Sequence, residues 1–184
     1  AALARGRGFA RVRELHRMGL ALPADLPPVE PPPGATLRAF RPGVDEQPVV
    51  QVNARAFSWH PEQGAMTVAD VEAAEAEDRF DPAGLIVAVH EQRLVGFHWT
   101  KVHGGERPVG EVYVVGVDPD AHGGGLGRAL TVAGLVYLQR RGLRRVILYV
   151  EGDNAPALAV YRRLGFDVET TAVQYEDQPK RPEM

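Results

Sequence analysis

The chain has 184 residues, 45% of them hydrophobic and 24% charged, with a formal net charge of −3. That length allows one well-packed domain plus an appendage; the lack of any apolar run near ~20 residues argues against a helical membrane span, and the faintly acidic balance against a basic field for nucleic acid. Zero cysteines exclude disulfides, thiol nucleophiles and cysteine-ligated zinc, and suit a reducing compartment.

The opening stretch, AALARGRGFARVRELHRMGL, is basic but has neither an apolar h-region nor a cleavage site, so a cytoplasmic location is expected. Residues 1–21 read as a helix end, a Gly8-Phe9 stop and a strand offering Val12, Leu15 and Met18, too short to hold a core. LPADLPPVEPPPG is too proline-rich for helix or central strand, so 22–35 reads as an extended linker. TLRAF (36–40) alternates as a strand, and DEQPVVQVNARAF (45–57) carries Val49, Val50, Val52 and Phe57 at helical spacing. TVADVEAAEAEDRF (67–80) predicts a second helix, with Thr67 as N-cap and Asp70 at the capping-box position.

GLIVAVHEQRLVGFHWTKVH (84–103) then reads as two strands around His90-Glu91-Gln92-Arg93, a hairpin, and GEVYVVGV (110–117) as a third. GLGRALTVAGLVYLQRRG (125–142) is a helix with Leu130, Leu135 and Leu138 on its apolar face, stopped by Gly142. RRVILYVEG is a buried strand, APALAVYRRLG a short helix and FDVETTAVQY a last strand, followed by a polar tail over 176–184. The order β-α-α-β-β-β-α-β-α-β over 36–175 predicts an α+β domain.

The most informative stretch is VVGVDPDAHGGGLGRAL (114–130), a strand leading through glycines into a helix. Such a junction offers unpaired N–H groups at the positive end of a helix dipole, an anion site. It lacks the Lys-Ser/Thr of a P-loop and does not sit in a first βαβ unit as a dinucleotide fingerprint would. Taken alone, a ligand-free turn and an anion cradle both remain open.

The pairing of VYVVGVDPDAHGGGLGRAL with LYVEGDNAPALAVYRRLGF resembles the GNAT acetyltransferase superfamily over roughly 36–175. The resemblance implies a GNAT fold, an α/β sandwich with a mixed, mostly antiparallel sheet and helices on both faces, and acetyl-CoA as acetyl donor. It implies that the backbone of Val115, Gly116 and Val117 binds pantetheine amides and that the loop His122, Gly123, Gly124, Gly125, Leu126, Gly127, Arg128 binds pyrophosphate. Asn154 and Ala157 would flank the pantetheine arm. The family usually opens this loop with Gln or Arg, where this chain has His122.

NARAFSWHPEQG, GLIVAVHEQRLVGFHWTKVH and GEVYVVGVDP further resemble the C-terminal half of the mycothiol synthases, actinobacterial tandem GNAT enzymes. That resemblance implies transfer to the cysteinyl amine of cysteinyl-glucosaminyl-inositol. ARGRGFARVREL echoes YRRLGFDVET, so 1–21 would close a preceding GNAT domain of the same polypeptide. Glu111 would be the general base and Tyr161 the donor to the departing thiolate, with Glu62, Lys101, Glu111 and Tyr149 contacting the acceptor. Lys101 is one of only two lysines in an arginine-dominated chain, the other being Lys180. His60, His98 and His103 have no ligand spacing, so no metal is expected, and Trp59 and Trp99 read as packing or pocket walls. An acetyltransferase for protein N-termini or another small amine, and a non-catalytic acetyl-CoA-binding module, fit the same residues.

Overall fold

Alternation of apolar residues makes the strands and short polar signals end them. The computed structural model describes residues 9–60 and 63–177. The elements in chain order are β1 (Phe9–Ala21), β2 (Ala35–Ala39), α1 (Glu46–Ala56), α2 (Val68–Glu75), β3 (Leu85–His90), β4 (Arg93–His103), β5 (Val109–Val117), α3 (Leu126–Arg140), β6 (Arg145–Glu151), α4 (Ala155–Arg163) and β7 (Asp167–Asp177). From β2 onward this is the expected order. The helix end expected before Phe9 and residues 178–184 of the expected tail lie outside the described residues. The expected tail also began too early, because β7 runs to Asp177.

The chain divides into a larger unit, Leu20–Ile147, and a smaller one, Ala1–Gly19 with Leu148–Met184. In the larger unit β2, β3, β4 and β5 pair in succession, each antiparallel to its neighbour. The β3–β4 hairpin closes on Glu91 and Gln92, both with positive φ (49° and 63°), the turn whose twist suits adjacent antiparallel strands. Leu85 and Val87 face one side, where Val49 and Val52 of α1 and Val71 of α2 join Phe97, Trp99 and Val114 in a buried cluster. Ile86 and Ala88 face the other, against Leu126 and Leu130 of α3. Helices thus cover both faces, as single-residue alternation requires when both are dry.

The predicted capping box is present: Thr67 Oγ1 accepts from the Asp70 N–H at 3.2 Å, and Asp70 accepts from the Thr67 N–H at 2.8 Å. Helix α2 nevertheless ends at Glu75, not at Phe80, because the N–H groups of Glu77 and Phe80 turn back to the carbonyls of Ala74 and Glu77. Ala and Glu propensity over 67–80 was overridden by this tight turn.

In the smaller unit β1 and β7 pair antiparallel from Phe9↔Asp177 to Gly19↔Asp167. Met18 is fully buried there, whereas Val12, one of the expected apolar contacts, is largely exposed.

Candidate active site

Strand β4 sets Trp99, Lys101 and His103 on the sheet face that α1 and α2 cover, since alternate residues share a face and Trp99 belongs to that core. Glu111 on β5 stands directly opposite Lys101 in the register. The register shifts between Trp99 and Thr100, which pair with Val114 and Val112, so Tyr113 is the extra residue of a β-bulge. The bulged Tyr113 meets Trp99 edge-to-face at 5.8 Å. Lys101 Nζ lies 3.5 Å from the Tyr113 ring centroid and 5.8 Å from that of Trp99, a cation held over aromatic faces.

The Glu111 side chain is 11% exposed, and its Oε2 is 2.6 Å from Nε2 of His103, whose side chain is 53% exposed. A buried carboxylate is therefore linked to a solvent-facing imidazole. Beside them a cavity of about 260 Å³ is lined by Trp99, Lys101 and His103 of β4 together with Phe80, Tyr137 and Arg141. Tyr137 and Arg141 both donate to Asp81, at 2.7 and 2.5 Å; burial, reinforced by the Asp81 carboxylate, pushes the Tyr137 phenol up to about 12.

On the opposite face His98 is fully buried. Its Nδ1 donates to the Leu130 carbonyl at 2.8 Å, leaving Nε2 without a partner among the described residues. Burial lowers its pKa to about 4, so the ring is neutral at physiological pH. Gly134 makes room for it: a Cβ there would lie 2.1 Å from the imidazole.

The strand end expected to hold a cofactor pairs Val115, Gly116 and Val117 with His98, Phe97 and Gly96. Gly116 has a packing reason of its own, since a Cβ would come within 2.6 Å of the Phe97 ring. His122 Nε2 donates to the Val117 carbonyl at 3.1 Å, folding the loop back on the strand it leaves. Arg55 of α1 bridges Asp118 (2.9 Å) and Asp120 (2.7 Å). Burial would raise the Asp118 carboxyl, but the Asp120 N–H and Arg55 outweigh it and hold the group below the usual carboxylate range.

Gly123 and Gly125 have φ of +90° and +82°, values that favour glycine. Gly125 is the N-cap of α3, whose first helical bond is Ala129 N–H to its carbonyl at 3.0 Å. The N–H groups of Leu126, Gly127 and Arg128 thus have no acceptor within the helix. Glycine supplies no capping side chain, and nothing lies within 4 Å of a Cβ built at Gly123 or Gly125. Between them, a Cβ at Gly124 would meet Pro32 at 3.3 Å.

In the smaller unit Asn154 caps α4, its Oδ1 accepting from the Ala157 N–H at 3.2 Å. Tyr161 packs edge-to-face on Phe166 at 5.9 Å. Burial pushes its phenol up to about 12, keeping it protonated. Tyr149 is exposed on β6. Glu62 lies outside the described residues.

The structure therefore brings Lys101 and Glu111 together, and His122–Arg128 against the end of β5. Sequence reading missed three contributors: His103 on Glu111, Tyr113 under Lys101, and Arg55 on Asp118. The period-two spacing of positions 99, 101 and 103 carried a signal for the first, whereas the bulge and the Arg55 contact, spanning distant segments, left none.

A model of the Acetyltransferase (GNAT) family matches residues 50–166, which include β5, the glycine loop and α3. The chain belongs to the GNAT acetyltransferase family. Among relatives of this GNAT chain, a mycothiol acetyltransferase of Actinosynnema mirum is 62% identical over 94% of the chain and 58% of its own length. One of Saccharopolyspora erythraea is 58% identical over 94% of the chain and 57% of its own length. The chain thus spans less than two thirds of the length of these curated relatives. A GCN5-related N-acetyltransferase from Sphaerobacter thermophilus superposes with a TM-score of 0.75 and 29% identity over 95% of this chain and 54% of that one. A tandem GNAT protein of the clavulanic acid biosynthesis pathway shares the fold, with a TM-score of 0.69, at 23% identity over 98% of this chain and 59% of its own. Among the described residues no helix is long and apolar enough to cross a membrane.

Proposed function

We propose that the protein transfers the acetyl group of acetyl-CoA to the cysteinyl amine of cysteinyl-glucosaminyl-inositol, the reaction of a mycothiol synthase. The observation that carries this reading is 62% identity to a mycothiol acetyltransferase across 94% of the chain, a span that includes both the glycine cradle and the Lys101–Glu111 pair. In this reading 36–175 is the acetyltransferase domain, 22–35 a linker and 1–21 the end of a preceding GNAT domain. The length of the relatives, to which this chain contributes 58%, supports such a tandem.

The cradle fits the donor. Three free N–H groups at the start of a 15-residue helix, with open space at two left-handed glycines, suit a pyrophosphate. The backbone of Val115–Val117 would align the pantetheine amides, with Asn154 and Ala157 beside the arm. Acetyl transfer then needs a base, an oxyanion donor and an acid. Glu111 takes the ammonium proton, a strand amide near Val115 polarises the thioester carbonyl, and Tyr161, a phenol kept protonated by burial, donates to the departing thiolate. Transfer is direct in a ternary complex in this reading, with no cysteine among these residues to carry an acetyl group. Glu62, Lys101 and Tyr149 complete the acceptor contacts in this reading.

The test is an acceptor screen with the full-length protein and acetyl-CoA, reading free CoA thiol. Release is expected with cysteinyl-glucosaminyl-inositol and absent with peptide N-termini. Preference for peptides refutes the acceptor, and acetyl-CoA binding without turnover on any amine refutes the enzyme.

A further inference from the structure

Acetylation of an ammonium by a thioester leaves a proton over: R–NH3+ and CoA–S–COCH3 become R–NH–COCH3, CoA–SH and H+. If Glu111 receives that proton, it must pass it on before the next cycle, and only 11% of its side-chain surface is exposed. Among the described residues, Oε2 of this carboxyl meets His103 Nε2 at 2.6 Å, a contact that leads to a solvent-exposed ring. His103 is 53% exposed at the end of β4 and its own ring borders the cavity beside Lys101.

We propose that His103 is the proton outlet of the site, a positioning residue that both orients Glu111 and carries its proton to water; this rests on Glu111 being the base. The protonated carboxyl donates Oε2–H to Nε2 of the neutral imidazole. The imidazolium so formed loses its Nδ1 proton to solvent, leaving Nε2–H against a carboxylate; the exposed ring then exchanges its N–H through water, returning to the Nδ1–H tautomer with Nε2 ready to accept the next proton. One proton enters at Glu111 and one leaves at Nδ1, with no other reactant consumed.

The surroundings suit a group that must gain and lose charge. Lys101 faces Glu111 across the strands with its ammonium over Tyr113. From the segment after α2, Glu77, Arg79 and Asp81 line the same cavity as His103, and Arg141 does so from just beyond α3. Asp81 is engaged by Tyr137 and Arg141, so it does not compete for the imidazole. The outlet therefore opens among charges of both signs.

The experiment compares His103→Ala, His103→Gln and Glu111→Gln in the full-length protein. Circular dichroism and acetyl-CoA calorimetry confirm that each variant is folded. Expected for His103→Ala is a fall in kcat of about tenfold or more, within the span that positioned proton transfer contributes. KM for acetyl-CoA should hold, and added imidazole should restore turnover in a saturating, pH-dependent way. His103→Gln keeps an N–H for Oε2 but cannot relay, so it should stay slow and respond to buffer. Full activity in His103→Gln means that the hydrogen bond alone matters and overturns the relay. So does wild-type, buffer-independent kcat in His103→Ala while Glu111→Gln is impaired. Wild-type kcat in Glu111→Gln overturns the assignment of the base instead.

Discussion

Replacing Gly134 by alanine sets two effects against each other. Alanine is the better helix former by about 1 kcal/mol, so on propensity alone α3 should gain. The added Cβ, however, would sit 2.1 and 2.2 Å from Cε1 and Nδ1 of His98. That ring is fully buried and tied to the Leu130 carbonyl at 2.8 Å. Making room means moving the ring or the helix by about an ångström, an overpacking cost of roughly 1–3 kcal/mol. Losing the Nδ1 bond would strand a buried donor for roughly another 1–3 kcal/mol. The clash wins, with a net loss of about 1–5 kcal/mol after subtracting the propensity gain, or at least ~2 °C in melting temperature for a chain of this size. Thermal denaturation followed by circular dichroism measures it directly. Adding His98→Ala to Gly134→Ala should give less destabilisation than the sum of the single changes, because the ring that collides is gone. A Gly134→Ala protein that melts at or above the wild-type temperature refutes the reasoning.

Two further outcomes follow from the same geometry. With His98 near 4 when folded and 6.5 when unfolded, the unfolded chain takes up the proton first on acidification. The associated stability is therefore complete above pH 6.5, falls by about 3 kcal/mol down to pH 4 and then levels off; denaturant titrations should show that fall flattened in His98→Leu. Lys101→Met keeps the stem but loses the cation over Tyr113, so stability should change by less than about 1 kcal/mol while KM for the acceptor rises several-fold. An unchanged acceptor KM would remove Lys101 from that contact.

The element order was legible because nearly every boundary carried a local signal: Thr67 with Asp70, Gly142, and the prolines of 22–34. The glycine-led start of α3 was legible as well, since Gly123 and Gly125 stand where left-handed backbone opens a helix. What escaped had no local signature. Helix propensity continues past Glu75, but the turn at Ala76–Phe80 is made by backbone bonds that composition does not announce. His98 reads as a polar residue in an alternating strand, and only the missing side chain at Gly134, 36 positions on, explains its burial. His103 read as a stray histidine until the register set it beside Glu111.

The bulge at Tyr113 sets the parity of β5. Glu111 and Val115 are four positions apart, so in an uninterrupted strand both would point the same way. Here Glu111 pairs with Lys101 and Val115 with His98, partners three positions apart on β4 and therefore on opposite faces. One surplus residue lets the carboxylate look toward α1 and α2 while Val115 and Val117 pack toward Leu126 and Leu130 of α3. Deleting Tyr113, or inserting a neighbour, would turn one of these sets to the wrong side however well the new residue packed. Between positions 111 and 117 the count of residues is thus under stricter constraint than the identity of residue 113.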